Sequence, residues 1–436
     1  MESLTPKRVL MIAQHFPPAV YGGVFRPLKF AKYLPEFGWE PTVVAATNLV
    51  APGFDRGLLS EIEGNCRVVW TKPHWVERLR AWKRSQSNGA PATSPDGQRA
   101  KPSIFGWLHN LPARLLVPDP NVVWKPLALR ATRQILRHEQ TDAIWTTAPP
   151  NSTHFVGLEL KRLYGLRWVC DFRDHWIDNP FHSHLRANPQ RRQRESKLEA
   201  MIVQRADVVV STTEGATRNF QDRYPDLAHK FVTIANGFDE ADFDGGVSVA
   251  TPAAHPEKFL IRYVGSIGGG RQADDLLVVL RSLQGHALWR DLRVEFLGPF
   301  NQPKQPWNDT LGDRVQFRAP VPHREALREM RSAAILLLVQ NADCGPDFAV
   351  PGKAYEYGAA GVPILALAPG GEVQKLLERY RLGQSVDSRD HTRLAQTLLE
   401  MYEGWRRMEP RNPDPSFFER FSRRAQTEAL STLLGG

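Results

Sequence analysis

Short apolar runs recur along the chain, each closed by glycine, proline or polar residues and followed by a helix-length stretch. Val9-Leu-Met-Ile-Ala13 is apolar throughout, which suits a parallel strand buried on both faces. A helix is predicted from about Phe25 to Phe37, stopped by Gly38, and Pro41-Thr-Val-Val-Ala-Ala46 follows as a strand, so the chain opens as a βαβ unit. After an interruption the alternation resumes with a helix over Leu127 to His138, a strand over Ala143 to Thr147, and the turn Ala148-Pro-Pro-Asn-Ser-Thr-His154 leading into a helix that ends before Gly165. Trp168-Val-Cys-Asp-Phe-Arg-Asp174 is a strand and its exit, a charged helix spans about Pro189 to Gln204, and strands follow at Ala206 to Ser211 and Phe231 to Ala235.

The low-complexity stretch from Asp244 to His255 reads as an interdomain linker. Beyond it the theme repeats, with strands at Phe259 to Val264, Leu292 to Leu297, Val315 to Phe317 and Ile335 to Val339, and a helix opening near Ala273. A short helix entered at Pro351-Gly352 is stopped by Gly361, and Pro363-Ile-Leu-Ala-Leu367 is the next strand. At 436 residues the chain is long enough for two domains. The pattern predicts α/β domains at 1–240 and 256–412.

Hydrophobic residues make up 42% of the chain and charged ones 24%, as in a globular protein. No signal peptide is evident, and no run approaches the roughly 20 apolar residues that span a bilayer, so a cytoplasmic location is expected. Cys66, Cys170 and Cys344 lie far apart and form neither a disulfide framework nor a metal-spacing motif, so no metal site is expected from them. The net charge of +9 is concentrated: Pro73 to Thr141 holds eleven basic residues against four acidic ones. Trp75, Trp82 and Trp107 are interleaved with that charge over about 73–121, and the piece from Ser85 to Gly97 reads as a flexible loop. Such an insertion suits the surface of an anionic membrane, or an amphipathic helical pair packed on its own domain. No nucleic-acid module accompanies it, and no nucleic-acid partner is expected.

Candidate chemistry clusters after the strands, where open α/β sheets bind ligands. Gly22-Gly23 permits close approach of a ligand to the backbone. The loop Gly265-Ser-Ile-Gly-Gly-Gly-Arg271 offers N–H groups and a cation to a phosphate. Lys353 puts a cation in the first turn of its helix, against the usual acidic preference, which an anionic ligand explains. Glu356, three residues on, shares its face and suits vicinal hydroxyls such as those of a ribose; an ordinary surface Lys-Glu pair is the alternative. Asp171-Phe-Arg-Asp-His-Trp-Ile-Asp178 is dense in groups that hold polar ligands or transfer protons, or that pair among themselves for structure.

These stretches together resemble the retaining glycosyltransferases of family 4, in the GT-B fold of two Rossmann-like domains facing a cleft, and most closely bacterial members that build surface polysaccharides. The resemblance rests on Phe16-Pro-Pro with Gly22-Gly23, Asn236-Gly-Phe-Asp239, Tyr263-Val-Gly-Ser266 and Pro351-Gly-Lys-Ala-Tyr-Glu-Tyr-Gly-Ala-Ala-Gly-Val-Pro363. It implies transfer of a sugar from a UDP- or GDP-sugar to a sugar or lipid-linked acceptor, without a separate cofactor or metal, and a peripheral place at the inner membrane face is the accompanying expectation. By the same resemblance Glu356 binds the ribose, and Lys353 and Arg271 the diphosphate, helped by Gly265 and Ser266. The Gly22-Gly23 loop closes on the sugar phosphate, and Arg173, Asp174 and His154 serve the acceptor. Segment 413–436, with Phe417-Phe-Glu-Arg-Phe421, matches the family's last helix, which returns to the first domain.

Two departures stand out. Many members carry two glutamates with seven residues between them; here the second is Glu356 and the first position is Phe348, with Asp343 and Asp347 as nearby substitutes. Where members often place a histidine after the fourth strand, this chain has Thr147-Ala-Pro-Pro150, with His154 later on the helix. A nucleotide-sugar epimerase or phosphorylase on the same fold, or a scaffold that has lost its site, are the competing expectations.

Overall fold

The computed structural model describes residues 6–20, 22–51, 53–87, 116–179, 182–243, 256–268, 271–340, 348–410 and 412–436. The first sheet contains β1 (Lys7–Ile12), β2 (Trp39–Ala46), β3 (Arg67–Thr71), β4 (Ala143–Ala148), β5 (Arg167–Phe172), β6 (Val208–Ser211) and β7 (Phe231–Thr233), ordered β3-β2-β1-β4-β5-β6-β7. The second contains β8 (Phe259–Val264), β9 (Leu292–Leu297), β10 (Val315–Arg318), β11 (Ile335–Val339), β12 (Ile364–Leu367) and β13 (Gly383–Val386), ordered β10-β9-β8-β11-β12-β13. Every pairing in both sheets is parallel. Both orders run outward from the first strand, return, and continue on its other side, so each domain is doubly wound. Each therefore opens a crevice at the carboxyl ends where the order reverses, between β1 and β4 and between β8 and β11. This is the GT-B architecture.

The central strands read as continuous apolar runs because both their faces are covered: every residue of β4 and β11 is buried. The edge strands β3 and β13 did not stand out in the sequence. Arg67-Val-Val-Trp-Thr71 buries only Thr71, and Gly383-Gln-Ser-Val386 only Val386, so neither carries the apolar run that marks a central strand.

Seven helices position the residues discussed below: α1 (Phe25–Tyr33), α2 (Trp75–Ser87), α3 (His154–Tyr164), α4 (His323–Arg331), α5 (Lys353–Ala359), α6 (Ser416–Phe421) and α7 (Arg423–Gly435). The first residues of the loop predicted from Ser85 to Gly97 belong to the end of α2, and its remainder lies outside the described residues, as does the rest of the insertion to 115 with Trp107. So do the linker at 244–255 and the substitutes Asp343 and Asp347.

The chain ends by crossing between domains. Phe417 and Phe421 of α6 are buried in the second core with Tyr355, Tyr357 and Tyr380, whereas Leu430 and Leu434 of α7 are buried in the first with Met11, Leu28 and Trp145. At the crossing Phe238 N–H donates to Phe421 O (3.1 Å) and Arg423 N–H to Phe238 O (2.7 Å). A side chain at Gly237 would run into the Phe421 carbonyl, so this position needs glycine.

Candidate functional site

A cleft of about 900 Å³ lies between the two domains, lined by loops that follow β1, β4, β5 and β8 and by one face of α5. It brings together Gly22, Gly23, Arg173, Asp174, Gly265, Lys353 and Glu356. A second cavity of about 640 Å³, lined by Gly361, Leu382, Trp405 and Met408 among others, lies behind the second domain and contains none of the predicted residues.

On the second domain's wall, Lys353 Nζ donates to Val264 O and Tyr263 Oη, both at 2.9 Å, and sits 4.3 Å from the Tyr263 ring centroid. Gly265 has φ +125°, and a Cβ there would fall on Lys353 Nζ, so the loop needs glycine both for its backbone and for the ammonium. Burial and the nearby Arg271 guanidinium pull the Lys353 pKa down to about 7, against the opposing pull of Glu356. Arg271 is not among the residues that line the cleft, but its charge is felt by Asp174 as well as by Lys353. Ser266 does not join them: it is exposed outside the lining, and its carbonyl accepts from Tyr263 Oη at 2.9 Å.

On the first domain's wall, Arg173 braces the loops rather than offering itself to an acceptor as expected. Its Nε donates to Ala148 O (3.0 Å), Nη2 to Pro149 O (2.5 Å) and Nη1 to Gly23 O. A Cβ at Gly23 would displace that guanidinium from its carbonyl partners, whereas one at Gly22 would meet nothing within 4 Å among the described residues. Asp174 opens to the cleft; crowding by protein raises its pKa above the usual carboxylate range, against the pull of Arg173, His182 and Arg271. Asp171, in contrast, is fully buried and grips Arg26 through both oxygens (2.8 to 3.2 Å) while accepting from Thr147 Oγ1 at 2.8 Å. It is a structural anchor between β5 and α1.

His154 is the clearest correction. Its side chain has no exposed surface; Nδ1 lies 2.8 Å from Thr146 Oγ1 and 3.2 Å from Cys170 Sγ, and burial with the Arg173 charge pulls its pKa down to about 3. As the first residue of α3 it turns inward, against Phe172, so it packs behind the cleft and cannot touch an acceptor.

Three groups escaped the sequence reading: His323 and Arg423, which line the cleft, and the buried Lys29, joined to His323 through Asp242. Lys29 Nζ bridges Glu61 (2.6 Å), Asp239 (2.8 Å) and Asp242 (2.8 Å), so the ammonium occupies the place where these carboxylates converge closely enough for a cation. Burial lowers its pKa, but Asp242, Asp239 and Glu61 outweigh that and leave it raised. His323 on α4 lies with Nε2 3.6 Å from Asp242 and 3.7 Å from Glu356, its ring 4.6 Å from that of Phe25 on the opposite domain. Arg423, at the first position of α7, is buried and lines the cleft. Arg26, Lys29 and Lys32 of α1 and Arg423 and Arg424 of α7 carry no periodic signal in the sequence that separates buried from solvated charge.

Residues 22–237 match a family described as the glycosyl transferase 4-like domain. A comparison with curated protein sequences found no match. Among solved structures, a sucrose-phosphate synthase from Thermosynechococcus elongatus is 16% identical, with 98% of both chains covered and a TM-score of 0.64. TarM from S. aureus, solved with fondaparinux, α-GlcNAc-glycerol and UDP, is 9% identical over 99% of this chain and 100% of that one, with a TM-score of 0.62. A Listeria monocytogenes protein described as a putative UDP-N-acetylglucosamine 2-epimerase is 11% identical over 98% and 95%, with a TM-score of 0.50. At these identities the likeness is one of fold.

Proposed function

We propose that this chain, which belongs to the glycosyl transferase 4-like family through residues 22–237, transfers a hexose from a UDP- or GDP-sugar to an acceptor with retention of anomeric configuration and without a metal. The observation that carries the reading is Lys353, a buried ammonium lining the interdomain cleft beside Glu356, with the Arg271 guanidinium within electrostatic reach of it. Like charges held close need an anion between them, and a diphosphate supplies it. Glu356, one helical turn along α5, then meets the ribose hydroxyls.

As the bond from the anomeric carbon to the diphosphate breaks, negative charge grows on the leaving oxygens. Lys353 and Arg271 hold that charge more strongly than the ground state. The acceptor oxygen bonds to the same face, and its proton passes to the departing phosphate oxygen. Asp174, facing the cleft, orients the acceptor hydroxyl. With Lys353→Ala, turnover should fall on the order of 100-fold, by analogy with removal of a fixed oxyanion donor. Calorimetry with nucleoside diphosphates, followed by a screen of nucleotide sugars, tests the reading; a chain that binds none of them is not this enzyme. Because an epimerase lies among the fold's neighbours, products are analysed with and without acceptor: epimerisation proceeds alone, transfer does not.

The acceptor is proposed to be a lipid-linked sugar at the inner face of a bacterial cytoplasmic membrane, in cell-surface polysaccharide or glycolipid synthesis. Supporting this, Trp75 and Trp82 of α2 are 54% and 59% exposed, and with Arg78 between them they lie on one helical face. No helix among the described residues is long and apolar enough to cross a membrane. Salt-sensitive cosedimentation with anionic liposomes is the expected result, and its absence removes the membrane assignment.

A further inference from the structure

We propose that Arg423 is a ligand-binding residue that, together with Glu356, grips the vicinal hydroxyls of the nucleotide's ribose. The inference rests on the nucleotide-binding reading above. Arg423 is only 6% exposed, lines the same cleft as Glu356, and its Nη1 has no hydrogen-bond partner among the described residues. Its backbone is fixed by the bridge to Phe238, and Ser422 caps the helix by accepting from Ala425 N–H at 3.1 Å, so the side chain projects from a rigid base. A buried cation with an unmade bond is costly to the empty protein, and here Arg26 adds repulsion. Such a group persists where a ligand completes it.

The surroundings identify that ligand's chemistry. Glu356 and Asp239 both act on Arg423 by charge, so a second anion placed against the guanidinium would also be pressed against carboxylates. Asp239 is already engaged by Lys29, Lys32 and Tyr33. Glu356 can only accept hydrogen bonds and the Arg423 guanidinium can only donate them, whereas a hydroxyl does both. A diol between the two gives its protons to Glu356 and takes N–H bonds from Arg423. A neutral, hydroxylated group fits this corner where a phosphate does not.

The test is calorimetry of the full chain with UDP and GDP against their 2′,3′-dideoxy counterparts, in the wild type and in Arg423→Met and Arg423→Lys. The wild type should prefer the ribonucleotide. Arg423→Met should weaken it roughly tenfold to a hundredfold, the worth of a hydrogen bond to a charged group, and weaken the dideoxy form far less, so that the preference collapses. The ligand-free Met variant should melt close to the wild type, since the Nη1 N–H groups it removes make no bond in the empty cleft; a merely structural arginine would melt markedly lower when replaced. Equal loss for both sugars, or no loss, overturns the assignment, and Arg423→Lys gives the same comparison if the Met variant does not fold. Wild-type protein that binds no nucleoside diphosphate defeats the nucleotide reading itself, and this inference with it.

Discussion

The ring of Phe348, from the second domain, lies 4.2 Å from that of His175 in the first, centroid to centroid. The Phe348 carbonyl also accepts from Thr213 Oγ1, and a Cβ at Gly215 would come within 2.7 Å of the Phe348 Cβ. The position where the resemblance leads one to expect a glutamate against the sugar is thus spent on holding the two domains together. Phe348→Ala removes an aromatic pair worth about 0.5–1.5 kcal/mol. Small-angle scattering should show a larger mean radius, and the KM for the sugar donor should rise. Unchanged scattering would mean that the contact does not hold the cleft closed. Burial and Arg223 pull the His175 pKa down to about 4, against its bond to Asn219, so this contact should not vary with pH in the neutral range.

Gly265→Ala is expected to fold yet bind donor poorly. The new methyl would sit at a left-handed φ of +125° and displace Lys353 Nζ from Val264 O. Backbone strain of this kind costs about 1–3 kcal/mol. Melting should therefore fall modestly while nucleoside diphosphate affinity falls with the lysine's displacement. A variant with wild-type affinity would show that the ammonium can move without consequence.

The doubly wound architecture was legible because buried parallel strands leave continuous apolar runs, and such runs as Ile335 to Val339 occur only where both faces are covered. The second domain's wall was legible for a similar reason: Gly265 and Lys353 are local signals, an unusual loop and a cation at an unusual helix position. The floor of the cleft was not. Arg423 reaches it where the chain crosses back to the first domain and His323 from the first residue of α4, and no periodicity marks either. Arg173 and His154 lay in polar turns that looked chemical, but direction decides their roles. One turns its guanidinium to backbone carbonyls and the other points into the core, and side-chain direction at a turn is set by packing that sequence spacing does not encode.

His154 gives a sharp test of that distinction. His154→Leu would leave the Thr146 hydroxyl, which accepts from Trp168 Nε1 at 2.8 Å, without its imidazole partner. The expected cost is about 1–3 kcal/mol of stability, seen as a lower Tm. Turnover of the folded fraction should be unchanged, because the ring does not reach the cleft. A large fall in kcat with little change in Tm would return His154 to the catalytic apparatus.

Lys353 should make nucleotide binding consume protons. In the free protein its pKa stands at about 7, below the ordinary value of 10.5, because burial and Arg271 disfavour the charged form. Between those values the unfolded chain carries a proton that the folded chain lacks, so this residue makes stability rise with pH across that window. A bound diphosphate reverses the local balance and raises the pKa again. Binding above pH 7 therefore takes up a proton, and affinity weakens as pH increases. Calorimetry at pH 8 in two buffers of different ionisation enthalpy should give different apparent heats, with proton uptake by the complex. Lys353→Met should abolish both this difference and the lysine-dependent fall in affinity. Equal heats in the two buffers for the wild type would show that the ammonium is already fully charged in the empty cleft, and that the two cations coexist there without a ligand between them.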